Sequence, residues 1–258
     1  MLKNLMKYEI KSVLQTFIPI YAIMILSIFL VSLKIDNLSV IGAIALPFSI
    51  IAIFIAFLIL TINRFKKSLL GDEGYLMFTI PASSFKIVMS KMTTMILFYI
   101  ITIIIFVLSV SVMIYITLDD KSNIIKTLVS ISSWVETYNL SLIPSILNTI
   151  LATITELFAF IATIYLSLSI AQIGRLKKHS NLYAIIIFFA VQFIISYISV
   201  KTIGTYDMFP SEFNEKNIPE YINIFNVELL KQSALQIIQG CTFIWGTIYI
   251  LNNKLNLD

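Results

Sequence analysis

Few residues in this chain have the chemistry for a reaction, and their numbers exclude most of the reactions one could name. There is one histidine, His179, and one cysteine, Cys241. A lone imidazole cannot build a multi-histidine zinc site such as H-E-x-x-H, so no metal site is expected. A lone thiol closes no intrachain disulfide, and inside an apolar run Cys241 reads as a buried, inert side chain. No G-x-x-x-x-G-K-[ST] phosphate loop occurs, so the chain is not its own ATP-driven motor, and no catalytic residue is assigned. One carboxylate stands out. Glu156 is the only ionisable residue well inside an apolar stretch, and such a group is costly and suggests function by default. It either touches a substrate, pairs with a partner helix, sits protonated, or lies near the outer boundary and stays wet. Asn148, Thr149, Thr153 and Thr155 make the same stretch polar, so Glu156 and Asn148 are candidate pathway residues.

The elements that must position these residues are membrane spans. The chain is 59% hydrophobic and only 12% charged. Soluble domains carry about twice that charge, and one this apolar would expose large aggregation-prone patches to water. Six stretches approach or exceed the ~17–25 residues that cross a bilayer, at approximately 17–33, 40–62, 92–118, 146–173, 182–200 and 234–251. They are continuously apolar rather than alternating, which predicts helices and not barrel strands. The expected fold is therefore an all-α polytopic membrane protein of one domain, residues 1–258, in the cell membrane. The first stretch lacks the small-residue site of a cleavable signal.

Lysine and arginine set the orientation. With the N-terminus inside, the inner segments carry Lys3, Lys7, Lys11, Arg64, Lys66, Lys67, Lys86, Lys91, Arg175, Lys177, Lys178 and Lys254. The outer ones carry only Lys34, Lys121, Lys126, Lys201, Lys216 and Lys231. Both termini are thus expected in the cytoplasm. Before the first span, Leu2, Leu5, Met6, Ile10, Val13 and Leu14 share one helical face and Lys3, Lys7 and Lys11 another. That pattern predicts an amphipathic helix lying in the inner headgroup layer. The outer connection 119–143 is expected to hold a short amphipathic helix around 124–138. The connection 201–231 has apolar anchors at Tyr206, Phe209, Phe213, Tyr221, Ile222, Ile224 and Phe225. His179 sits on an inner loop, and Trp134 and Trp245 suit boundary anchoring.

The inner loop between the second and third spans is the most informative segment. Gly71 and Gly74 permit a sharp turn around Asp72 and Glu73. Tyr75, Leu76, Met77 and Phe78 then form an apolar knuckle too short to span, and Pro81 ends it. An aromatic knuckle with an acidic lip calls either for a partner surface or for a fold back into lipid. The run Gly71-Asp72-Glu73-Gly74-Tyr75-Leu76-Met77-Phe78-Thr79-Ile80-Pro81, followed by Lys86 and Ser90-Lys91, resembles the loop of bacterial ATP-binding-cassette (ABC) transporter permeases of the type-2 exporter class. The close motif covers about 20 residues, with Ile80 where that family usually has leucine. The stretch 167–174 before Arg175 is similar, less specifically, to the end of the fourth span in the same permeases.

The resemblance implies a pathway made by two permease chains, homodimer or heterodimer, with two ATPase subunits below that bring ATP and magnesium. It makes 71–81 the coupling element that receives the ATPase stroke. Arg175, Lys177 and Lys178 become a second cytoplasmic contact. No cofactor is expected in this chain, and its partners would be ATPase, permease and lipid rather than nucleic acid. The alternatives are a secondary transporter or channel, and an immunity or sensory partner that moves nothing.

Overall fold

The computed structural model describes residues 2–33, 35–70, 83–117, 122–138, 142–203 and 218–254. Every element among them is helical. They are α1 (Leu2–Ser32), α2 (Asp36–Phe65), α3 (Ser84–Thr117), α4 (Ser122–Thr137), α5 (Leu142–Ile170), α6 (Ser180–Ile203) and α7 (Ile218–Asn253). A π turn, Lys66–Leu70, extends α2, and a 3-10 turn, Gly174–His179, joins α5 to α6. Six of these helices, all but α4, are long and apolar enough to cross a membrane. The chain is a multi-pass membrane protein, because such lengths of apolar helix satisfy their own backbone and leave only side chains for lipid.

The helices overrun the apolar stretches that betray them, most at the sixth. Its apolar core starts at Ala234, yet α7 begins at Ile218. Pro219 in the first turn removes an N–H that would have no helical acceptor anyway, and Glu220 beside it suits the positive end of the dipole. Tyr221, Ile222, Ile224 and Phe225 therefore belong to α7 and not to a loop. The short amphipathic helix expected around 124–138 is α4.

The chain divides into two compact units, Met1–Ser122 and Asn123–Asn256. In the first, α1 packs on α2 and α3. Val13, Phe17, Tyr21, Met24 and Ile28 are its buried face, recurring every three or four residues as one helical stripe requires. Phe17 stacks on Tyr21 and on Phe98 of α3, each at 5.6 Å between ring centroids. The Tyr21 hydroxyl meets Thr102 Oγ1 at 2.5 Å. This corrects the expectation of a separate surface helix before the first span: α1 runs unbroken from Leu2 to Ser32. The reason is visible at Val13, which is fully buried against protein rather than laid on headgroups.

In the second unit α5 packs chiefly on α7, with α6 alongside. Partners advance together along both helices, Asn148 to Asn226, Thr155 to Gln236 and Thr163 to Gln239, so α5 and α7 run parallel. Small residues line the seam: Ala152, Ala159 and Ala162 on α5, Ser233, Gly240 and Thr247 on α7. Small side chains let helix backbones approach closely where apolar burial gives no drive between helices already in lipid. Cys241 is turned about 100° from its seam neighbour Gly240 and is exposed, contrary to the buried thiol expected.

Candidate functional site

Two polar constellations stand out, one in each unit. In the first unit Glu9 of α1 accepts from two cations at once. Its Oε2 pairs with Arg64 Nη1 at the end of α2, and its Oε1 takes Lys91 Nζ of α3 at 2.6 Å. The three helices alternate in direction, so the start of α1, the end of α2 and the start of α3 meet at one end of the unit. The Lys91 side chain is only 2% exposed, and those of Arg64 and Glu9 are 13% and 14%. An ammonium so shielded keeps its charge only beside a counter-charge, which Glu9 supplies. Around it Ser90 donates to the Ile87 carbonyl at 2.8 Å and Thr94 to the Ser90 carbonyl at 2.8 Å. These bonds turn both hydroxyls back onto the α3 backbone.

This triad brackets the loop singled out in sequence. Arg64 stands before it and Lys91 after it, and Glu9 ties both flanks to α1. The loop residues themselves, Gly71, Asp72, Glu73, Gly74, Tyr75, Leu76, Met77, Phe78 and Pro81, lie outside the described residues. In the sequence Arg64 and Lys91 stand out only as inner-side cations, and Glu9 does not stand out at all. A signal was present: Glu9 stands four and eight residues before Val13 and Phe17, on the stripe that buries.

In the second unit the expected pathway residues separate. Asn148 is tied into the α5–α7 seam. Its Nδ2 donates to Asn226 Oδ1 at 3.2 Å, and Asn226 Nδ2 donates to Ser145 Oγ at 2.9 Å. Lower down, Thr155 Oγ1 bonds Gln236 Oε1 at 2.8 Å and Gln239 Nε2 donates to Thr163 Oγ1 at 3.2 Å. Asn226, Gln236 and Gln239 were not foreseen. Their spacing along an apolar helix, matched to the Thr and Asn spacing of α5, is the pattern that could have found them.

Glu156 is not in that seam. It is exposed, and it sits at the midpoint of α5, equally far from Leu142 and Ile170. At 1.5 Å per residue it is about 20 Å from either end of the helix. Near the other end of the helix Gly174, at φ +53°, takes the left-handed conformation that turns α5 into the 3-10 turn. Lys177 and Lys178 lie on that turn with His179, and Lys178 and His179 are exposed. The side chain of Arg175 lies outside the described residues. Among the described residues no three metal-ligating side chains gather.

No model of a known protein family, no curated protein and no solved structure matches this chain.

Proposed function

We propose that this chain is the membrane-spanning permease subunit of an ABC exporter, moving an amphipathic or peptide cargo while a separate ATPase subunit hydrolyses ATP. The observation that carries the reading is the aromatic, glycine-hinged loop 71–81, mounted between two helices whose flanking cations share one carboxylate. A soluble motor needs a grip on the permease, and an apolar knuckle with an acidic lip is a surface that water disfavours and a partner groove would cover. Both termini and this loop face the cytoplasm in this reading, as the placement of Lys and Arg favours. The protein sits in the cell membrane, paired with a second permease chain of the same or a sister kind. Lys177, Lys178 and Arg175 give a smaller second contact.

The mechanism follows from rigidity. Closure of the ATPase pair on ATP pushes the loop 71–81. The push enters α2 and α3 together, and Glu9 carries it to α1, because one carboxylate is ion-paired to a shielded cation on each of them. The unit then moves as a body rather than shearing helix against helix. The experiment is reconstitution of the full complex. Alanine at Asp72, Glu73 and Tyr75 together is expected to abolish ATP-dependent transport and to release the ATPase on purification. Unchanged transport would end the coupling assignment.

One observation favours a second reading, a secondary transporter: Glu156 is an ionisable group at mid-span, where such carriers place theirs. Gradient-driven uptake in vesicles without ATP would select it.

A further inference from the structure

We infer that the face of α5 bearing Thr149, Thr153 and Glu156 is a binding site for an organic cation, an ammonium or guanidinium group carried on an apolar body. The three residues follow one another at intervals of four and three, so they stand on one side of the helix. Thr155, on the α7 seam, is one residue and hence about 100° away. The site is therefore distinct from the seam and is not needed to hold α5 on α7.

Its chemistry is one-sided. Thr149 Oγ1 donates its proton to the Ser145 carbonyl at 2.8 Å, and Thr153 Oγ1 donates to the Thr149 carbonyl at 2.8 Å. Each hydroxyl has spent its single donor on the backbone and offers only lone pairs outward. An ionised Glu156 has acceptors alone. Among the described residues nothing pairs with it. Four residues before Phe160, which meets Phe188 of α6 edge-on at 5.7 Å, it stands at one level with Gln192, four residues beyond Phe188 on the returning helix. Gln192 is half-buried and adds a carboxamide oxygen at that depth. On α5 itself this face accepts and does not donate, so it repels anions and is satisfied by N–H donors bearing positive charge.

Depth decides the source of the cation. Lipid headgroups begin about 15 Å from the bilayer midplane, so with α5 centred in the bilayer a zwitterionic headgroup amine would not reach Glu156. A metal ion would want more oxygen ligands than three staggered side chains present. A cation on an apolar carrier can enter from the membrane and leave its charge at Glu156. As the cargo site of an exporter the inference rests on the reading above, but the binding needs no ATPase and is measured without one.

The test uses the full chain in nanodiscs with octylammonium, and with octanol as the uncharged match. Octylammonium is expected to bind saturably, and Glu156→Gln, which keeps shape and removes charge, to weaken it at least about tenfold, the loss of one charge-assisted bond. Octanol binding is expected to be equal in both proteins, which also reports an intact fold. Thr153→Val is expected to weaken octylammonium by a smaller factor. Infrared difference spectra, wild type against Glu156→Gln, are expected to show ionised carboxylate once the ammonium is bound. Equal octylammonium affinity in wild type and Glu156→Gln overturns the inference. So does a Glu156 carboxyl that stays protonated in saturating probe, which would make it a neutral acid facing lipid. Failure of the export reading would show instead as loss of ATP dependence with this binding intact.

Discussion

The two units solve the same problem, holding helices together in lipid, with different bonds. The unit of α1, α2 and α3 concentrates its polarity at one end, where one carboxylate holds two cations, and fills the rest with stacked Phe17, Tyr21 and Phe98. The unit of α5, α6 and α7 spreads neutral amide and hydroxyl pairs along a seam of small residues. The difference teaches where charge is tolerable. Ionised groups are expensive at mid-span and cheaper near helix ends, whereas neutral side-chain bonds are weak but admissible at any depth. Glu156 is the exception, an exposed ionisable group at the middle of α5.

The contrast is sharpest under mutation. Glu9→Gln is expected to cost the most, about 3–5 kcal/mol, since it removes the carboxylate that two shielded cations share. Unfolding in mixed micelles, followed by circular dichroism of the helices, measures it. Adding Lys91→Met to Glu9→Gln is expected to recover part of the loss. Strict additivity would mean that the two do not interact.

Next come the close approaches. A Cβ at Gly42 would sit 2.5 Å from the Ser27 carbonyl oxygen of α1, whereas one at Gly240 would meet the Phe158 ring at 2.1 Å. Backbone cannot yield and a ring can turn, so Gly42→Ala is expected to cost more than Gly240→Ala within a range of about 1–3 kcal/mol. The reverse order would move the tighter helix crossing to the second unit.

Smaller again is the seam. Thr155→Val leaves Gln236 Oε1 without its donor and is expected to cost about 0.6–1.7 kcal/mol, the scale of hydrogen bonds between membrane helices. Smallest is Lys231→Ala. Its pair with Glu228 has a lysine 55% exposed, so the loss is expected below about 1 kcal/mol and to fade in salt. A larger effect there would make charge matter equally in both units.

Much of the fold was legible because apolar length is a strong signal. The six spans follow from it. What it missed lies where polar residues are helical. Windows of hydropathy stop at Ala234, but α7 starts at Ile218, because Glu228, Lys231 and Gln232 ride a helix already paid for by its apolar half. The N-terminal segment misled in the same way: its lysines suggested headgroups, while Glu9 on the other side fixed it to α2 and α3. Of the site, Glu156 was legible as an outlier, but Asn148 resembled it in sequence and differs in space, since only partners on α7 show which of the two is satisfied. Residues 71–81 lie outside the described residues, and their proposed coupling role rests on the sequence alone.

The central claim is that residues 71–81 meet a separate ATP-hydrolysing protein in the cytoplasm. A photoreactive side chain at position 75, illuminated in native membranes, tests it most directly. The account predicts a covalent adduct to an ATP-binding protein, lost when Asp72 and Glu73 are also replaced by alanine. Adducts to lipid only, or labelling of this segment by an impermeant reagent from the outer side, would contradict it.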